Sequence, residues 1–151
     1  MTFNFKLFTG VIPKQFQLNQ SLLTNIIIYF GNIFGTIISS FFALSSSKSS
    51  IIISKAFTII ENKTDFLRTA IAGIACGIII GLIVHIQHQK FRCIMAIPLI
   101  MLFILLGFEH CIANSFYMLA SSNIKLDILL SSTIGNIIGG LFVSIGMECY
   151  D

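Results

Sequence analysis

Charge is what this chain has least of: Asp, Glu, Lys and Arg make up 10% of its 151 residues, against 56% hydrophobic residues and a mean hydropathy of +0.95. That balance excludes an ordinary soluble domain, in which about a quarter of residues are charged. Nine Lys+Arg against six Asp+Glu leave a net charge of +3. With no basic run and no interleaved aromatics, a nucleic-acid surface is excluded as well.

Other signatures are absent too. Cys76, Cys93, Cys111 and Cys149 form no CxxC pair, and three of them fall within apolar runs, so they read as small packing residues rather than disulfides or metal ligands. EHCIAN lacks the HExxH order that puts two metal-binding histidines on one helix face. His85 and His88 have no carboxylate or cysteine to complete a ligand set, and read as a polar cap at a membrane interface beside Lys90 and Arg92. No nucleophile or cofactor motif can be found, so neither an enzyme, a cofactor nor a metal is expected. The opening MTFNFKLFTGVIPKQ has neither a basic start followed by an apolar core nor a small-residue cleavage site, and no signal peptide is expected.

What remains is a polytopic membrane protein, all-α, in a single transmembrane domain over 1–151. A helix needs about 20 apolar residues to cross the hydrocarbon, and four segments meet or approach that length: 22–44, 67–89, 93–120 and 126–147. The second carries Gly73, Gly77 and Gly81 at intervals of four, a row that lets another helix come close. The linker 45–65 mixes serines and lysines with an apolar stripe, and is expected to form a surface loop followed by a short interfacial helix. Lys6, Lys14, Lys90 and Arg92 fall on one side of these spans and Lys48, Lys55, Lys63, Arg68 and Lys125 on the other, so the charge bias sets no orientation.

The third span is interrupted. ILLGFEHCIANSFYML, at 104–119, places Glu109, His110 and Asn114 near the middle of an apolar run, which predicts a break at 107–111. An internal repeat gives the break a context. GNIFGT at 31–36 recurs as GNIIGG at 135–140, each inside a span. Asn32 and Asn136 are expected to satisfy backbone groups exposed at breaks, supporting a site without forming it. If the halves match, Gly31 should follow an interruption as Gly135 follows His110, and Thr9-Gly10 of KLFTG stands at a similar spacing. The later half then has three segments, while the earlier starts at its interruption.

GFEHCIAN followed by the GNIIGG helix, with LFTG at 7–10 and YFGNIFGT at 29–36, resembles the formate/nitrite transporter family. The resemblance runs over nearly the whole chain. It implies an aquaporin-like bundle of two inverted three-helix repeats with the family's second and fifth helices broken, a pentamer with one pore per protomer in the cell (inner or plasma) membrane, and passage of small monovalent anions such as formate and nitrite, with protons. By position it implies that His110 is the central pore histidine, Asn114 the asparagine after it, Thr9 the threonine of the opposing loop, and Leu7 and Phe103 the apolar constriction. Lys55 matches the lysine at the pore mouth. Gly73 stands where many members have an Asn. The family's first helix and half of its second are expected to be absent, so that the first repeat is incomplete, 1–20 is the remnant of a broken helix and its loop, and a second polypeptide is a possible source of the missing spans.

The chemistry such a site needs follows from electrostatics. A bare anion cannot cheaply leave water for an apolar constriction. A helix beginning in mid-membrane near Cys111 would turn its positive end toward an anion. An imidazole, with a reference pKa of about 6.5, can hold and return a proton. Glu109, pointing about 100° away from its neighbour, is expected to brace the break by accepting from freed backbone amides or from a neighbouring repeat. Besides the channel, two readings stay open: a non-conducting remnant or split-transporter subunit, and an intramembrane assembly factor using His110.

Overall fold

The computed structural model describes Thr9, residues 22–86 and residues 92–148. Leu7, the expected remnant at 1–8 and 10–20, Lys90 and His88 lie outside the described residues, as do the side chains of His85, Arg92 and Cys93. Over the described stretches the chain forms α1 (Leu22–Leu44), α2 (Ser49–Glu61), α3 (Phe66–Ile86), α4 (Arg92–Leu105), α5 (Cys111–Ser121) and α6 (Leu126–Glu148), with no strand among them. Apolar runs in hydrocarbon must bond every N–H and C=O within the segment, and the helix is the conformation that does so. α1, α3 and α6 are long and apolar enough to cross a membrane. The remaining apolar run is divided into α4 and α5.

The division has a local cause. After Leu105 the chain turns through Gly107 at φ +62°, a left-handed conformation that a Cβ would strain. The Gly107 amide bonds the Ile104 carbonyl at 3.2 Å and the Phe108 amide bonds that of Phe103 at 3.3 Å, the paired closure of a Schellman motif. Phe108, Glu109 and His110 then run without helical structure until α5 begins at Cys111. The break therefore falls at 106–110, against the expected 107–111.

α3 and α6 form the tightest seam. A Cβ added to Gly77 would overlap the carbonyl of Asn136; one on Gly135 would overlap that of Ala70, and one on Gly139 that of Ile74. Because 73 pairs with 135 and 77 with 139, the two helices run in the same direction, backbone against backbone. Here glycine is required by closeness rather than by φ, and the Gly73 and Gly77 row does what its spacing suggests.

α1 sits on the other side of the broken span. Two hydroxyl pairs join it to its neighbours: Tyr29 Oη to Thr133 Oγ1 of α6 at 3.0 Å, and Thr36 Oγ1 to Ser115 Oγ of α5 at 3.1 Å. Cys111 is fully buried against Ile28, Tyr29, Ile112, Leu129, Ile137 and Leu141, and with Cys76 it is a free, buried thiol. Phe30, Phe34, Phe41 and Phe42 of α1 point outward, as suits a lipid-facing helix. α2 is the short helix expected in the linker. Its Ile60 is fully buried against Met118 and Ile128, while Ile51, Ile53 and Phe57 are exposed.

Candidate functional site

The break exposes backbone in mid-span, and Asn136 covers much of it. Its Oδ1 accepts from the Cys111 amide at 3.0 Å, and its Nδ2 donates to the carbonyls of Glu109 at 2.7 Å and Gly73 at 3.0 Å. One buried amide thus ties both ends of the Glu109–Cys111 corner to α3 and α6. The Glu109 amide reaches the Ala72 carbonyl at 3.4 Å. Gly73 contributes by being small, since a Cβ there would lie 3.4 Å from Asn136 Nδ2 and 3.1 Å from the Ser132 carbonyl. Asn32, in the other copy, donates to Ile28 O of its own helix at 2.8 Å.

His110 is the N-cap of α5. Its backbone is extended (φ −104°, ψ 120°) and its Nδ1 accepts from the Ala113 amide at 3.3 Å. A nitrogen that accepts is unprotonated, so the neutral ring carries its hydrogen on Nε2. Nε2 lies 3.0 Å from Thr9 Oγ1, and that assignment makes the imidazole the donor. Thr9 is completely buried. The two residues are 101 positions apart in sequence. Phe103 stands edge-on to the imidazole, with ring centroids 6.2 Å apart. An apolar cavity of about 260 Å³ is lined by Ile80, Ile83, Ile100, Phe103, His110 and Ala113.

Glu109 faces another space. A larger cavity, about 830 Å³, runs along the first half of α3 and includes Lys63, Arg68, Gly107 and Glu109 in its lining. There Lys63 Nζ donates to Glu109 Oε2 at 2.5 Å and to Asn114 Oδ1 at 2.7 Å, while Asn114 Nδ2 donates to the same Oε2 at 2.9 Å. The three side chains close a triangle. Asn114 is 1% exposed, and the Lys63 and Glu109 side chains 15% and 13%. At such burial an isolated ion would be costly, and the pairing and hydrogen bonds offset part of that cost.

These contacts revise three expectations. The Glu109 carboxylate accepts from a lysine and an asparagine rather than from freed amides. The physical reason is that Asn136 and His110 have already taken the amides of Cys111 and Ala113. For the same reason, the positive end of α5 acts on its surroundings as a dipole, with those two amides spent inside the protein. Lys55 is exposed in a shallow groove with Ser54, Thr58 and Ile59, and lines neither cavity. The ammonium that reaches the break belongs to Lys63.

The formate/nitrite transporter family model matches residues 1–150. The uncharacterized transporter YHL008C of Saccharomyces cerevisiae is 31% identical over 163 aligned positions, which cover 93% of this chain and 25% of that protein. The chain thus spans about a quarter of the length of this relative. No solved structure matches the chain.

Proposed function

The chain belongs to the formate/nitrite transporter family, and from that premise we propose that it passes small monovalent anions of the formate or nitrite class beside His110, linked to a proton through that imidazole. The observation that carries the reading is the bond between His110 Nε2 and Thr9 Oγ1. It sets an imidazole and a hydroxyl together at the edge of an apolar cavity, beside the break before α5, where a desolvated anion would most need a donor. Phe103 beside the ring, with Leu7 from the opposite half, acts as the constriction that strips water.

Lys63, Glu109 and Asn114 form the approach from the larger cavity. Their ammonium attracts an anion while the carboxylate keeps the group neutral in sum. An anion then passes from a polar surrounding to the His110–Thr9 pair, where it accepts a hydrogen bond from the Thr9 hydroxyl or, once the ring has taken up a second proton from water, a proton from the imidazolium, and so crosses nearly neutral. The family resemblance supports a pentamer in the plasma membrane.

Formate flux in proteoliposomes, followed by internal pH, tests the reading. His110→Phe should change the pH dependence of flux, because it removes the titrating donor and keeps an aromatic of similar shape. A profile unchanged from wild type rejects the role of His110.

A further inference from the structure

Lys63 reaches the break from a short connection between α2 and α3, and a lysine side chain is long and flexible. Its ammonium is therefore placed only as well as its backbone is held. The hold comes from the facing loop before α6. Lys125 Nζ donates to the carbonyl of Glu61 and to the carbonyl of Lys63 itself, each at 3.1 Å. Both carbonyls lie at or just past the end of α2, where carbonyls lack helical partners and a cation is favoured. Asn123 Nδ2 adds a bond to Glu61 Oε2 at 3.0 Å.

The ion pair in this cluster is a minor part. Lys125 Nζ is 3.8 Å from Glu61 Oε2, and the Glu61 side chain is 58% exposed, a setting in which pairs contribute little. The two carbonyl bonds carry the function. They fix the backbone on both sides of Asn62, while the Lys63 amide bonds the Ile60 carbonyl at 3.1 Å. Backbone held in this way presents the Lys63 side chain to Glu109 and Asn114.

We infer that Lys125 is a positioning residue for the transport site, acting through the backbone of Lys63 to aim its ammonium at Glu109. The inference rests on the proposed role of the Lys63–Glu109–Asn114 group. It makes the connection between α2 and α3 and the connection between α5 and α6 one functional unit, although only the first contributes a side chain to the triangle.

Formate flux through proteoliposomes containing K63M, K125M, K125R and the K63M/K125M double variant tests it. K125M should lower flux about fivefold, the factor that a small change in equilibrium produces, and should shift the pH profile in the same direction as K63M. K125R, which can still donate to both carbonyls, should restore most of the flux. The double variant should be no worse than K63M alone, since Lys125 acts through Lys63. Wild-type flux in K125M, or losses that add in the double variant, overturns the positioning role. An unaltered K63M overturns the reading of the triangle instead, which keeps the two failures apart. Should K125M not accumulate in membranes, K125Q, whose shorter side chain carries no charge and reaches less far, takes its place. Its flux should fall between wild type and K63M, and wild-type flux again overturns the inference.

Discussion

In α6, Gly135 and Gly139 lie so close to α3 that a Cβ on either would run into a backbone carbonyl; in α1, Gly31 and Gly35, their counterparts in GNIFGT, meet nothing within 4 Å among the described residues. The two segments share a motif and differ in packing. α6 is held by backbone contact and by the three hydrogen bonds of Asn136. α1 is held by two hydroxyl pairs and turns phenylalanines outward. A Gly-Asn segment therefore marks a capacity for close approach, and whether it is used depends on a neighbour with small residues in matching register. α3 supplies that neighbour to α6 through Gly73 and Gly77.

The sharpest way to break the comparison is to fill both glycine positions. Gly139→Leu should destabilise the protein by about 3 kcal/mol, at the upper end for forcing bulk into a packed contact. Gly35→Leu should stay within about 0.5 kcal/mol, as for a side chain added to an open face. Thermal unfolding in detergent and in vesicles measures both. Equal damage at the two sites would mean that the α1 face is covered in the assembled protein, and the contrast would vanish.

A second variant weighs the amide. Asn136→Ala removes the partner of the Cys111 amide and of two carbonyls, and should cost about 2–3 kcal/mol, the penalty of leaving buried groups unbonded. Tyr29→Phe should cost less, about 1 kcal/mol, because Thr133 keeps its bond to the Leu129 carbonyl at 2.7 Å. A larger loss from Tyr29→Phe than from Asn136→Ala would show that α1, not α6, is the principal support of the broken span.

How much of this could be read in the sequence depended on whether a residue's partner was local. The break was legible because a glycine, a carboxylate and a histidine interrupt an apolar run, and the repeat pointed back to Thr9, which the structure places in contact with His110. Asn136 was legible as a support through the same repeat, though its three partners were not. Lys63 was not singled out, since its carboxylate partner lies 46 positions away and no period links them. One signal did exist. A carboxylate at that depth needs a countercharge, and Lys63 lies just past the short linker helix, three residues before the next span. Lys55, chosen by family position, falls on the exposed face of that helix instead. The partners of Glu109 are Lys63 and Asn114 rather than freed amides, since the amides of Cys111 and Ala113 are taken by Asn136 and His110, contacts that no local pattern reveals.

The double engagement of the His110 ring has a consequence for its motion. Turning the ring by half a revolution would bring carbon atoms to the places where Nδ1 meets the Ala113 amide and Nε2 meets Thr9, so both contacts would be lost at once. Such rotation is slowed by whatever those two contacts are worth together, and the imidazole stands as a one-way dipole instead of a swinging arm.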